Sequence, residues 1–149
     1  MLDTIQAINK TAAFNRWAGF EVTSAANGEA ELRMNWREED MGQYAGFLHA
    51  GMIGAMLDTV SGYAAATVAG RVLASHFSIN CISPAIGRAF VARARGVKAG
   101  RKEVVAVAGV YAQGDGEGAD ALKLVATGNA ILVPVEEPAS APKKPAAAA

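Results

Sequence analysis

Only one stretch of this chain carries a helical period long enough to cross a domain. From Gly51 to Gly70, the residues Ile53, Met56, Leu57, Val60, Ala64 and Thr67 recur at offsets of three and four, which puts them on one stripe of a helix. The other long apolar segments alternate or run as strands. A single oily helix has no helical partner to bury itself against. It is covered only if a strongly curved antiparallel sheet wraps it, and the outer face of that sheet then calls for a second subunit. The fold class this predicts is α+β: a curved antiparallel sheet around one long central helix, with a short N-terminal helix in front.

The remaining elements follow from local pattern. Leu2 to Phe14 places Ile5, Ile8 and Ala12 at helical spacing behind Asp3 or Thr4 as a cap. Trp17 to Thr23 reads as a strand. Asn27-Gly28 suits a turn at positive φ, and Ala30 to Trp36 alternates apolar and polar, completing a hairpin. Arg37 to Tyr44 is a polar loop. Beyond the helix, strands are predicted at Val72 to Ile82 (stopped by Ser83-Pro84), Phe90 to Val97, Glu103 to Ala112 and Ala121 to Val133. The turn at Lys98 to Lys102 and the loop at Gly114 to Gly118 separate them, and short connections make consecutive strands neighbours. From Glu136 on, Pro, Ala and Lys offer too little apolar surface to order a segment. The expected organisation is an N-terminal helix over 1–15, one domain over 16–135 and a tail over 136–149.

Composition removes several function classes. Fourteen basic residues balance fourteen acidic ones, which argues against a nucleic-acid partner. One Cys (Cys81) and two His (His49, His76) exclude an internal disulfide framework and fall short of a structural zinc site, so no metal is expected. Cys81 reads as an inert core residue in an apolar strand, and His76 as a residue on a partly exposed strand face. Ala50 to Gly70 is long enough to span a bilayer, but it is built from Gly and Ala with Asp58 at its centre. A buried helix, with no membrane partner, is the expectation. Met1 to Lys10 lacks the apolar run of a secretory leader, which points to a cytoplasmic protein.

Asp58 lies off the oily stripe, with Gly54 one turn before it and Gly62 one turn after. Glycines weaken a helix, so several of them around a carboxylate imply close approach of another backbone or a ligand. His49-Ala50-Gly51 stands where the loop becomes helix. The first amides of a helix have no internal partner and sit at the positive end of its dipole, where a carbonyl oxygen is polarised and an oxyanion held. At about 1.5 Å rise per residue, Asp58 lies roughly 10 Å from that terminus, too far for both to act on one carbonyl. Two antiparallel helices across a two-fold axis would bring the Asp58 of one subunit to the amides of the other.

The pattern Gln43-x5-His49-Ala50-Gly51-x6-Asp58 resembles the signature of the hotdog-fold acyl-CoA thioesterases of the phenylacetate-pathway (PaaI-like) group, in which Asn precedes a His-Gly-Gly and Asp follows nine positions after the His. Ser83-Pro84-Ala85, the Lys98-x-Gly100-Arg101 turn and Ala126-Thr127-Gly128 are similar to later landmarks of that family. The resemblance covers Trp17 to Val133 and implies a hotdog fold, an acyl-CoA substrate and a homo-oligomer, either a dimer or a dimer of dimers. It implies no cofactor, since the CoA moiety belongs to the substrate. By the same resemblance, Asp58 would be the base or nucleophile, the amide of Ala50 or Gly51 the oxyanion hole, Gln43 the residue orienting water or thioester, and His49 a support for the loop. Lys98, Arg101 and Lys102 resemble residues that meet CoA phosphates, while Tyr44, Phe47 and Ser75 are expected to contact substrate, and Trp17, Tyr63 and Phe77 to help floor the acyl pocket. The chain departs from the pattern with Ala50 for the first Gly, Gln43 for Asn, and Ala74, next to Ser75, where the family often has Ser or Thr. A non-catalytic acyl-CoA binder on the same fold is the alternative; a hotdog dehydratase lacks a suitably spaced His and acid.

Overall fold

Asn27 and Gly28 both adopt positive φ (53° and 82°), as a two-residue type I′ turn requires, and they join the first two strands of the computed structural model. The structure describes residues 1–114 and 121–136; the expected Gly114 to Gly118 loop beyond Gly114 and all but the start of the expected tail lie outside them. The hairpin pairs β1 (Glu21–Ala26) with β2 (Glu29–Asn35), and Ala30, Leu32 and Met34 turn inward as the alternation predicts. The Gly28 N–H donates to Thr67 Oγ1 at 2.7 Å and ties this turn to the central helix.

The predicted helix is α4, Ala50–Ala69. Ile53, Met56, Leu57, Val60 and Ala64 are buried on it, and Gly54, Ser61 and Ala65 widen the buried arc. Burying a side chain such as Leu57 or Met56 stabilises the fold by about 1.5–3 kcal/mol. By length and composition α4 is apolar enough to cross a membrane, but here it is the core of the domain. The sheet facing it is lined with small residues (Ala92, Ala94, Ala106, Ala126, Ala130), so helix and strands pack closely. At Gly128 the approach is tightest: a Cβ there would stand 2.2 Å from the Ser78 carbonyl oxygen and 2.4 Å from Leu57 Cδ1.

Six antiparallel strands form one sheet, adding β3 (Val72–Cys81), β4 (Ala89–Ala99), β5 (Val104–Gln113) and β6 (Leu122–Pro134) to the hairpin, in the order β1-β2-β4-β5-β6-β3. Consecutive strands are therefore not all neighbours. β3 pairs with β6 at the edge, and residues 82–88 carry the chain across to β4 beside β2. That connection is too long for a hairpin, and Pro84 has no N–H to donate to a ladder. As an edge strand β3 is exposed along most of its length, so Cys81 is exposed and not a core residue. His76 is exposed, as expected.

The N-terminal helix is broken in two. α1 (Leu2–Thr11) stops at Ala12 (φ −85°, ψ 118°) and α2 (Ala13–Ala18) follows, so Trp17 is helical and not in a strand. Gly19, at φ 73°, follows α2. Its left-handed conformation ends α2, with the Phe20 N–H donating to the Asn15 carbonyl at 3.0 Å. The pair docks through polar groups: Asn9 Nδ2 donates to the Phe20 carbonyl (2.7 Å), Tyr63 Oη to Asn9 Oδ1 (2.8 Å) and Asn15 Nδ2 to Tyr63 Oη (3.0 Å). A one-turn helix α3 (Glu38–Met41), unexpected in the polar loop, buries Met41.

Candidate active site

Three elements fix the start of α4. The His49 N–H donates to the Met41 carbonyl of α3 at 2.9 Å, and the Leu48 N–H to the Ala85 carbonyl of the β3–β4 connection at 3.0 Å. His49 is then the N-cap: its Nδ1 accepts from the Gly51 N–H at 2.8 Å, while its carbonyl accepts from Met52 (2.9 Å) and Ile53 (3.2 Å). The imidazole explains Gly51, because a Cβ there would lie 2.9 Å from His49 Nδ1. Ala50 has no positive φ and tolerates its Cβ. Of the first amides of α4, Gly51, Met52 and Ile53 are thus engaged, and the N–H of the exposed Ala50 has no partner among the described residues.

Asp58 sits eight residues further along, about 12 Å up the helix axis from Ala50. Its half-buried carboxylate has no hydrogen bond or ion pair among the described residues. Burial alone raises its pKa above the ordinary carboxylate value. Gly54 below it lies against Phe77 of β3, with an added Cβ 3.3 Å from the ring, while at Gly62 above it a Cβ would meet nothing. The helix flank around the acid is therefore open on one side and walled by an aromatic ring on the other.

The loop before α4 holds itself together. Gln43 Oε1 accepts from the Ala45 N–H and, at 3.4 Å, from the Phe47 N–H; the Gln43 N–H donates to the Phe47 carbonyl at 2.8 Å. Tyr44 stands fully exposed at the loop tip, and Phe47 is half-buried. Lys98, Arg101 and Lys102 do come together: with Gly100, Glu103 and Val105 they line a cavity of ≈ 420 Å³ at the β4–β5 turn. Val104, at the base of that turn, packs with Ala65 and Ala69, so the basic cluster and the Ala50 amide mark opposite ends of α4. Ser75 sits at a bulge between Ala74 and His76, its hydroxyl donating weakly to the Ile131 carbonyl (3.4 Å). Tyr63 points to the N-terminal helices, away from Phe77. A larger groove of ≈ 470 Å³ lies on the outer face of the sheet by Arg93, Gly109 and Tyr111, and does not include Asp58. The cap role of His49 and the loop-binding role of Gln43 leave no signature in spacing alone.

One long helix wrapped by a six-stranded antiparallel sheet is the hotdog architecture. Residues 45–119 match the Thioesterase superfamily profile. A thioesterase family protein of Silicibacter pomeroyi is 32% identical, with a TM-score of 0.80 over 87% of this chain and 93% of that one. The chain belongs to the thioesterase superfamily. The Escherichia coli PaaI protein, from the phenylacetic acid degradation operon, shares the fold at 19% identity (TM-score 0.78, 91% of this chain and 97% of that one). So does a Streptococcus mutans protein solved bound to acetyl-CoA, at 22% identity (TM-score 0.66, 76% and 86%). No curated protein matches the chain.

Proposed function

We propose that this protein hydrolyses acyl-CoA thioesters to free acid and CoA. The observation that carries this reading is the pairing of an unpartnered, half-buried Asp58 on an open helix flank with a single uncommitted amide, Ala50 N–H, at the start of the same helix. A carboxylate with raised pKa is a competent general base near neutrality. Acting as the base, Asp58 takes a proton from water. The hydroxide oxygen bonds to the thioester carbonyl carbon, and the resulting oxyanion accepts from Ala50 N–H. The C–S bond then breaks and the thiolate leaves with the proton from Asp58. Acting as the nucleophile, the same carboxylate bonds to the thioester carbonyl carbon, the C–S bond breaks and CoA leaves as thiolate. Water then attacks the resulting anhydride, giving the free acid and restoring the Asp58 carboxylate, and its proton goes to the thiolate.

About 12 Å of helix rise between the two residues argues against a site within one chain. An antiparallel two-fold arrangement brings the Ala50 amide of the partner subunit to Asp58, and it also brings the basic turn at Lys98, Arg101 and Lys102 to the same end, where CoA phosphates would lie. The bare edge of β3 is the natural seam for such a homodimer, since its backbone groups are unpaired on one side. The Streptococcus mutans relative, bound to acetyl-CoA, supports the ligand class.

Gln43 favours a second reading, a non-catalytic acyl-CoA binder, because its carbonyl oxygen serves the loop and not a water. Thiol release from aromatic and aliphatic acyl-CoAs, followed with a thiol-trapping dye, tests both. Release that disappears in Asp58→Asn is the expected result. Thermal stabilisation by acyl-CoA without release from any ester would select the binder.

A further inference from the structure

Among the described residues, one buried side-chain polar atom has no hydrogen-bond partner: the hydroxyl of Ser61, on α4 and 0% exposed. Such orphans are rare, because a hydroxyl taken from water without a partner destabilises the fold. The usual local acceptor for a helical serine, the carbonyl four residues back, is not engaged. Removing the hydroxyl would therefore stabilise the helix core, unless the group has a task that the resting arrangement does not display.

Its position suggests the task. Ser61 follows Asp58 by three residues, one turn along the same helix, and Asp58 is likewise without a partner. Side chains at this spacing have Cβ atoms about 5–6 Å apart. The Ser hydroxyl is one bond beyond its Cβ and the Asp oxygens two bonds beyond theirs. Rotation about the two χ1 bonds therefore brings them within a hydrogen bond of about 2.7 Å. Among the described residues no other ionisable group competes. Tyr63 is held by Asn9 and Asn15, and His76 alternates with the inward Phe77 and so faces out. Cys81 lies at the far end of β3, beyond Ile79, which flanks Gly54. The buried residues that the other five strands turn to the core are apolar.

We propose that Ser61 is a positioning residue that donates its hydroxyl to the Asp58 carboxylate and holds it toward the thioester. This rests on the thioesterase reading. The hydrogen bond favours the ionised acid, so its loss leaves Asp58 harder to ionise.

Carboxyl-labelled aspartate lets the Asp58 resonance be found by its absence in Asp58→Asn, and its titration compared in the wild-type protein and Ser61→Ala. The midpoint is expected to rise by about half a pH unit or more in Ser61→Ala. With the best acyl-CoA, kcat should fall about tenfold at unchanged KM, the acidic limb of the pH profile should move up, and Ser61→Cys should restore part of the loss. The melting temperature should be no lower. An unchanged Asp58 midpoint in Ser61→Ala would overturn the proposal whether or not the protein turns over thioesters. Absence of hydrolysis in the wild-type protein would instead sink the thioesterase reading, leaving the titration to decide the contact.

Discussion

Two inactive variants, mixed, should make an active enzyme. Ala50→Pro removes the one uncommitted amide at the start of α4 and little else. Ala50 is the first helical residue, where proline's φ is already right, and His49 before it has φ −60° and ψ 136°, the conformation a following proline demands. The exposed site leaves room for the ring. Loss of one oxyanion donor costs about 3–4 kcal/mol in the barrier, or 10²–10³-fold in kcat. Asp58→Asn should remove a general base worth roughly 10²–10⁴-fold. If each site takes its acid from one chain and its amide from the other, an Ala50→Pro/Asp58→Asn heterodimer has one doubly damaged site and one intact site. Random 1:1 assembly makes about half the dimers mixed, so about one quarter of wild-type thiol release should return. Separately tagged chains, refolded together and purified through both tags, should show about one half. If the verified heterodimer stays at the floor of its parents, acid and amide belong to one chain and the distance argument fails. If Ala50→Pro alone keeps wild-type kcat, the amide has no role.

Three further outcomes follow from contacts described above. Gly128→Ala forces a Cβ against the Ser78 carbonyl and Leu57, and overpacking of about 1–3 kcal/mol should lower Tm by roughly 3–10 °C in a circular-dichroism melt. Tyr63→Phe strips the hydroxyl shared by Asn9 and Asn15; about 1–3 kcal/mol of docking should be lost, read as faster hydrogen exchange in α1 and α2. Because burial raises the Asp58 pKa, the folded state binds the proton more tightly than the unfolded chain. Its contribution to stability is thus full below 3.8 and is lost as pH rises through the raised folded value. Asp58→Asn should therefore melt higher than wild type near neutrality and lose that advantage in acid; a lower Tm at neutral pH would show that hydrogen bonding to the carboxylate outweighs the cost of burying it.

The central helix, the Asn27-Gly28 hairpin and the succession of strands along the chain could be read from period and turn chemistry, because each depends on residues close in sequence. What escaped depended on distant partners. Nothing local tells that β3 pairs with β6 and lies at an edge, which is why Cys81, flanked by apolar residues, looked like core and is exposed. The helix that carries Trp17 ends at one left-handed glycine, Gly19, and the break before it at Ala12 has no marker in the sequence. At the site, Asp58 and the helix start were visible through glycine spacing. The choice between the Ala50 and Gly51 amides was not, since it turns on the His49 ring accepting from Gly51. Lys98, Arg101 and Lys102 line one cavity because a short turn keeps them together, whereas the Tyr63 hydroxyl is held by Asn9, a partner 54 residues away that no local pattern reveals.

The edge of β3 bears on more than geometry. Chains usually defend such a border with lysines, prolines or brevity, yet Val72–Cys81 is ten residues long and carries no Lys, Arg, Asp, Glu or Pro. Its free backbone groups are equally available to a correct mate and to any other extended chain. During folding the protein is thus in a race between assembly and aggregation, and crowded, slow or partial refolding should be lost to insoluble material. In the proposed homodimer, covering this edge would do more than complete a site: it would keep the folded chain in solution.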